Sequence, residues 1–188
     1  THSKLLFFTN KGRVFRLNAY EIPEGKRQAK GTAIVNLLQL GPNEKIATLL
    51  AIDEKDDNKY LLLATKNGIV KKTDREEFKN INKAGLIAIG LREDDELIGV
   101  KVTDGNKDVL LVTKEGMSIR FDENDIRPMG RSAMGVKGIT LSNDDKVVSM
   151  SLCEEGTDVL VVSENGFGKR TDINEYRTQI RAGKGIKT

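Results

Sequence analysis

The sequence predicts an all-β, propeller-like protein built from four-stranded blades. Four segments share one pattern: an apolar run, a Thr or Ser, two polar residues, a glycine, and a second run ending near basic residues. Successive turn glycines are 56, 48 and 50 residues apart, and no long segment has helical periodicity. A repeat of about fifty residues that holds four strands is typical of a propeller blade.

The four segments come first in each repeat and predict β-hairpins. A short turn whose twist matches its strands needs positive φ, which glycine adopts without steric cost. The segments are 4–17, 59–73, 108–121 and 158–171, with turn glycines Gly12, Gly68, Gly116 and Gly166.

After each hairpin we expect a polar arm and then a glycine that leads into a third strand. These third strands are predicted within 30–40, 83–91, 136–141 and 184–188. A fourth strand is predicted at 45–52, 96–103 and 146–152, and the last repeat lacks it. The sequence therefore predicts one domain with three complete blades and part of a fourth, approximately 4–52, 59–103, 108–152 and 158–188.

Composition excludes several classes of function. With 38% hydrophobic and 31% charged residues the chain resembles a globular protein, and its longest apolar runs are strand-sized, so no membrane partner is expected. The single Cys153 and the single His2 disfavour a disulfide, a metal site and a histidine-based catalytic triad. We expect Cys153 to be a packing residue, the acidic clusters at 53–57 and 93–96 to be solvated turns, and the protein to be cytoplasmic and free of cofactors.

Charge is unevenly distributed along each repeat. The stretches 12–40, 68–91, 116–141 and 166–188 together hold 20 Lys and Arg against 10 Asp and Glu, whereas the remainder holds 11 against 18. In a circular arrangement these stretches would form a continuous band of positive charge, which suits a polyanion such as double-stranded DNA. The alternative is that the bias is incidental. With 5% aromatic residues, stacking on single strands is not favoured.

Two phrases make a family resemblance specific. The repeat, YEIPEGKRQAKGTAIVNLLQL at 20–40 and MGRSAMGVKGITL at 129–141 resemble the C-terminal domain of the bacterial DNA gyrase A protein. The resemblance implies a β-pinwheel, which differs from a propeller in its strand course and in strands shared between neighbouring blades, with DNA wrapped around its perimeter.

The segment QIRAGKG at 179–185 is similar to the hallmark of that family, the gyrase box QRRGGKG. It matches five of the seven positions, and Ile180 and Ala182 depart. It lacks the G-x-x-x-x-G-K-[ST] pattern of a nucleotide-binding P-loop. Since the opening THSKLLFFTNKG resembles the region after the first blade, we expect the principal box to lie upstream of Thr1.

The resemblance implies two groups of phosphate contacts. Arm positions come first: Lys26, Arg27, Lys30, Lys83, Arg131, Lys137, Arg181, Lys184 and Lys187. Basic residues near each hairpin come second: Arg13, Arg16, Lys71, Lys72, Arg120, Lys169 and Arg170.

The predicted function is sequence-independent binding, bending and wrapping of double-stranded DNA by a non-catalytic domain. The resemblance implies that the remainder of the gyrase A protein and the gyrase B protein are its partners in an ATP-dependent isomerase at the nucleoid, where it directs negative supercoiling. Two alternatives remain. One is the corresponding domain of the topoisomerase IV A protein, whose arms usually diverge from these phrases; the other is a propeller-like protein-interaction scaffold.

Overall fold

The computed structural model describes residues 3–52 and 57–188, and nearly all its regular structure is β. His2 and most of the acidic cluster at 53–57 lie outside the described residues. The strands are β1 Lys4–Thr9, β2 Arg13–Asn18, β3 Ile46–Ile52, β4 Tyr60–Thr65, β5 Ile69–Asp74, β6 Leu86–Ile87, β7 Leu97–Thr103, β8 Asp108–Thr113, β9 Met117–Asp122, β10 Val136–Lys137, β11 Val147–Cys153, β12 Asp158–Val162, β13 Gly168–Asp172 and β14 Ile186–Lys187. Short 3₁₀ turns lie at Ala19–Glu21, Ile34–Asn36, Arg75–Phe78, Glu123–Asp125 and Ile173–Glu175. The predicted all-β class is confirmed.

Neighbouring repeats share strands within one sheet. The three four-stranded antiparallel sheets have the orders β3-β1-β2-β6, β10-β5-β4-β7 and β11-β8-β9-β14, and β12 pairs with β13. Each four-stranded sheet takes three strands from one repeat and one short strand from the next. This is the pinwheel arrangement, so a sheet and a sequence repeat are different units.

The third strands differ most from the prediction. In the first repeat the expectation is wrong, because residues 30–40 contain the 3₁₀ turn Ile34–Asn36 and no strand. In the other repeats the strand is two residues long and pairs with the preceding hairpin. The segment then crosses the turn of that hairpin, where the Ala88 and Gly138 amides donate to the Gly12 and Gly68 carbonyl oxygens, each at 2.8 Å.

This crossing explains why the turn residue is glycine. Gly12 has φ of 74°, in the left-handed region, and a Cβ at this position would lie 2.7 Å from the Ile89 carbonyl oxygen. Both the turn conformation and the close approach of the next repeat therefore exclude a side chain.

The core lies between consecutive sheets. Leu61 and Leu63 of β4 pack in the cluster that includes Phe8 of the first sheet, whereas Leu62 packs in the cluster that includes Leu111 of the third. Since successive strand residues point to opposite faces, a sheet covered on both sides needs a continuous apolar run. Burying each leucine contributes roughly 1.5–3 kcal/mol.

The fourth repeat is the least covered. Its two-stranded sheet leaves Leu160 68% and Phe167 79% exposed. Cys153 is buried beside it with Leu110 and Tyr176, and burial raises its pKa to about 11. The thiol is thus protonated at neutral pH and packs as expected.

The acidic corners before β7 and β11 are not simply solvated turns, which corrects that expectation for residues 93–96. Asp95 and Asp145 are buried, and each accepts a hydrogen bond from a hairpin-turn amide, that of Asn67 or Glu115, at 3.0 Å. Glu44 occupies the equivalent corner of the first repeat and accepts the Thr9 hydroxyl at 2.7 Å. These carboxylates therefore fasten each fourth strand to the hairpin of its own repeat.

Candidate nucleic-acid interface

The polar arms after the hairpins are arranged in succession. We call residues 22–31, 79–85, 127–135 and 177–185 arms 1 to 4. The Gly90 amide, just after arm 2, donates to the Ala133 carbonyl oxygen of arm 3 at 3.1 Å. The Thr140 amide, just after arm 3, donates to the Gly183 carbonyl oxygen of arm 4 at 2.8 Å. Arms 2, 3 and 4 therefore follow one another from repeat to repeat.

Arm 1 is exposed at every residue. Within the described residues its backbone hydrogen bonds run from the Ala29 amide to the Lys26 carbonyl oxygen at 2.8 Å and from the Ile22 amide to the Ala19 carbonyl oxygen of the preceding turn at 3.3 Å. It carries basic side chains but is not joined to the other arms by the backbone.

Nine of the sixteen sequence-predicted site residues are exposed. They are Lys26, Arg27 and Lys30 on arm 1, Lys83 and Lys184 on arms 2 and 4, Lys137 and Lys187 on the short strands after arms 3 and 4, and Lys169 and Arg170 on β13. We call Lys83, Lys137, Lys184 and Lys187 the basic belt. No salt bridge within the described part of the chain engages these four ammonium groups.

The segment QIRAGKG forms residues 179–185 of arm 4, where it links the third and fourth repeats. The Arg181 guanidinium donates to the Asp125 and Lys137 carbonyl oxygens, each at 3.0 Å. Ala182 adopts φ of 68°, and its amide donates to the Gly138 carbonyl oxygen at 2.7 Å. The backbone is thus held against the preceding repeat while the Lys184 side chain remains exposed.

Two half-buried arginines join hairpins to the following repeat. Arg16 of β2 donates to the Lys79 carbonyl oxygen at 2.8 Å, and Arg120 of β9 donates to the Ile173 carbonyl oxygen at 2.9 Å. Both acceptors lie in or next to the 3₁₀ turn of the next repeat. Arg120 is also paired with Asp108 at 2.7 Å, so its charge is partly neutralised.

Three further arginines of the predicted site, Arg13, Arg131 and Arg170, also have partners within the protein. Arg13 pairs with Glu44 at 2.8 Å, and Arg131 lies 3.6 Å from a Glu77 carboxylate oxygen. Arg170, at the position equivalent to Arg16 and Arg120, pairs with Asp158 of its own hairpin at 3.1 Å. Their contribution to an external field is therefore smaller than that of the belt lysines.

Lys72 does not fit the predicted role, because it is buried. Its ammonium donates to the Glu123 carbonyl oxygen at 2.8 Å and lies 3.8 Å from a carboxylate oxygen of the same residue. It also lies over the Tyr60 ring, 5.3 Å from the centroid. Lys72 makes the link to the next repeat that Arg16 and Arg120 make elsewhere, and the expectation that it contacts phosphate is corrected.

The same correction applies to Lys71, whose side chain is fully buried. Its ammonium donates to three carbonyl oxygens, those of Ala88, Gly130 and Arg131. Burial lowers its pKa to about 8, the nearby Arg131 contributes to the lowering, and Glu77 opposes the shift. The group is thus mainly protonated at neutral pH but cannot reach a ligand at the surface.

Sequence reasoning missed one set of equivalent basic residues. Lys79, Arg127 and Arg177 each open an arm, one or two residues after a 3₁₀ turn ends, and all three are exposed. Their common position in the repeat, shortly after the 3₁₀ turn that follows each hairpin, was the signal that could have identified them.

Among the described residues no group of three His, Cys, Asp or Glu side chains is placed to hold a metal ion. Within the same residues no helix is long and apolar enough to cross a membrane.

Comparisons with known proteins agree with this architecture. The family model described as the DNA gyrase C-terminal domain, beta-propeller, matches residues 3–53, 59–104, 107–154 and 157–188. The chain is 57% identical over 138 residues to the DNA gyrase A protein of Clostridium acetobutylicum; the match covers 73% of this chain and 17% of that relative. The chain therefore spans a small part of the relative's length.

Two solved structures are similar over 99% of this chain. The crystal structure of the C-terminal domain of DNA topoisomerase IV has a TM-score of 0.90 at 32% identity, with 58% of that chain covered. The structure of a DNA gyrase A C-terminal domain has a TM-score of 0.83 at 31% identity, with 60% covered.

Proposed function

Because this chain belongs to the DNA gyrase C-terminal domain family, we propose that it binds double-stranded DNA without sequence preference and bends it along the basic belt. The observation that carries the proposal is the succession of arms 2, 3 and 4, in or next to which the belt lysines are exposed and form no salt bridge with any residue that the structure describes. The chain has no catalytic role in this proposal.

The chemistry of the belt favours phosphate over base recognition. A lysine ammonium is a compact charge on a flexible stem and lacks the planar fork that reads base edges. Phosphate contacts fix the position of a duplex and release condensed counterions, which makes affinity independent of sequence and sensitive to salt.

Contacts spread over several repeats are needed to hold bent DNA. Bending a site of 20–30 base pairs by up to about 90° costs on the order of 1–6 kcal/mol. A single patch contacts one short stretch of duplex, whereas charges on consecutive arms contact it at successive positions along a curved path. The exposed basic residues of arm 1 extend the number of phosphates within reach.

In the larger enzyme we propose an accessory role for the domain. DNA wrapped on the belt would be presented to the remainder of the gyrase A protein, with the gyrase B protein as the ATP-binding partner, and the wrap would direct negative supercoiling. This takes place on the chromosome in the cytoplasm.

The similarity to the topoisomerase IV domain supports a second candidate, in which this chain is the corresponding domain of a topoisomerase IV A protein. The TM-score of 0.90 to that domain favours it on shape, and the 57% identity to a gyrase protein favours the first candidate on sequence. Ligation of nicked circles around the bound protein tests the wrap proposed for the first candidate, since a wrap shifts the linking number of the closed product and simple binding does not.

A salt titration tests DNA binding itself. We would measure the affinity of the chain for linear duplex at several salt concentrations, then repeat it with Lys184→Glu and Lys187→Glu together. The matched control is Lys101→Glu, at an exposed position on β7 outside the basic stretches. An affinity that changes neither with salt concentration nor with the double charge reversal would refute the DNA proposal and favour a protein-interaction scaffold.

A further inference from the structure

Lys71 joins arm 3 to the segment that follows arm 2. It lies on β5 with its side chain fully buried, and its ammonium donates to the carbonyl oxygens of Ala88 at 2.6 Å, Gly130 at 3.1 Å and Arg131 at 2.5 Å. Ala88 follows arm 2, whereas Gly130 and Arg131 belong to arm 3. One cation therefore holds the backbone of one arm against the segment that follows the other.

The contact uses the full bonding capacity of the group. An ammonium has three donors, and here each has a backbone acceptor. A buried cation is tolerated when it is satisfied in this way, and its removal leaves carbonyl groups without a donor. Lys71 thus contributes three hydrogen bonds at this junction, beside the backbone bonds from the Met129 amide to the Lys72 carbonyl oxygen and from the Gly90 amide to the Ala133 carbonyl oxygen.

The equivalent junctions are built differently. Ile119 occupies the position of Lys71 on β9, and there Arg181 of arm 4 donates to the Lys137 carbonyl oxygen at 3.0 Å. At the first junction Phe15 occupies the position, and Arg13 donates to the Ala84 carbonyl oxygen at 2.5 Å. A buried lysine is therefore not a general requirement of the fold.

We propose that Lys71 is a positioning residue that aligns arm 3 with arm 2, and so sets the angle through which bound DNA is bent. It contacts no phosphate and acts through the backbone of Gly130 and Arg131, which precede the belt residue Lys137. This inference rests on the proposed DNA-binding function.

The experiment separates bending from affinity in the 188-residue chain. A duplex of about 30 base pairs, within the range over which bending is costly, carries fluorophores at both ends. Energy transfer at saturating protein reports the bend, and anisotropy at several salt concentrations gives the salt slope. The variants are Lys71→Met, Lys137→Met as loss of an exposed belt charge, and Lys101→Met as an exposed control outside the belt.

We expect Lys71→Met to lose most of the energy-transfer change while keeping the wild-type salt slope, because it removes no phosphate contact. Lys137→Met should reduce the magnitude of the slope by about 0.9 and retain more of the bend. Lys101→Met should match the wild type. A purely structural role for Lys71 would lower the unfolding midpoint and leave the bend at saturation unchanged, and that result overturns the proposal.

A second variant covers the case in which Lys71→Met does not fold. Lys71→Gln keeps a shorter neutral donor that can serve at most two of the three carbonyl groups. It should give a bend between those of free and wild-type-bound DNA, and a wild-type bend contradicts the inference. If the wild-type chain itself shows no salt-dependent binding, the proposed function fails, and the inference fails with it.

Discussion

Three glycine substitutions should separate the two constraints that act where one repeat crosses the next. Gly135, just before β10, has φ of 97°, and a Cβ there would lie 2.5 Å from the Val70 carbonyl oxygen. Gly116 has φ of 77° with nothing within 4 Å of the added atom. Gly130, in the same arm as Gly135, lies outside the left-handed region and is equally open. Gly135 is thus subject to both constraints, Gly116 only to the positive φ, and Gly130 to neither.

The expected magnitudes follow from these positions. Gly130→Ala should change the free energy of unfolding by less than about 0.5 kcal/mol, as is usual for an open surface site. Gly116→Ala should cost about 1–2 kcal/mol, the penalty for a left-handed alanine. Gly135→Ala adds the displacement of β10 from β5, with a further loss of about 1 kcal/mol for each backbone hydrogen bond given up. We therefore expect a total of about 3 kcal/mol.

Urea unfolding followed by circular dichroism measures all three variants. In thermal unfolding the same difference for Gly135→Ala corresponds to about 6–12 °C for a chain of this size. If Gly135→Ala destabilises no more than Gly116→Ala, the close approach of the third repeat to β5 is not a constraint, and strand exchange at this junction does not depend on the glycine.

Three further outcomes are expected. Ala182→Gly should raise the free energy of unfolding by about 0.5–1 kcal/mol in urea titrations, because φ of 68° is strained for alanine. In a ¹³C NMR titration, Lys71 should titrate near pH 8, below the ordinary lysine pKa of 10.5. Since its pKa is lower folded than unfolded, unfolding free energy should rise relative to Lys71→Met between about pH 8 and 10.5. Burial opposes ionisation of Asp145, but hydrogen bonds, chiefly from Thr113, lower its pKa. Asp145→Asn should therefore lower the free energy of unfolding by about 1 kcal/mol at neutral pH. The difference in unfolding free energy between this variant and the wild type should vanish as pH falls through the folded-state pKa of Asp145.

The hairpins and fourth strands could be predicted because their determinants are local. A positive-φ glycine between two runs fixes a turn, as at Gly68, and an apolar run such as that of β4 reports burial on both faces. The third strands could not be bounded in this way. Their partners lie in the preceding repeat, and the two-residue pairing of β10 leaves almost no alternation to detect.

The sign of the charge on the arms was visible in the sequence, but its placement was not. Lys71 and Lys137 are both lysines in basic stretches, yet one is fully buried and the other exposed. The apolar run of β4 held a clue, since a lysine on the neighbouring strand of a doubly covered sheet has no solvent to face. The acceptors of Lys71 are backbone carbonyl oxygens, which every residue type has, so the sequence does not indicate them. The joining role of Lys71 is therefore visible only in the three-dimensional structure.

The sharing of short strands between repeats has a consequence for how the number of repeats can change in evolution. The second, third and fourth repeats donate β6, β10 and β14 to the sheet of the preceding repeat, and the first three repeats each accept one of these strands. Duplicating a whole unit of the gene therefore supplies a matched donor and acceptor together, whereas an insertion or deletion of part of a unit damages two sheets. Length in this architecture is adjustable in steps of one unit, and the number of basic segments available to a polyanion changes with it.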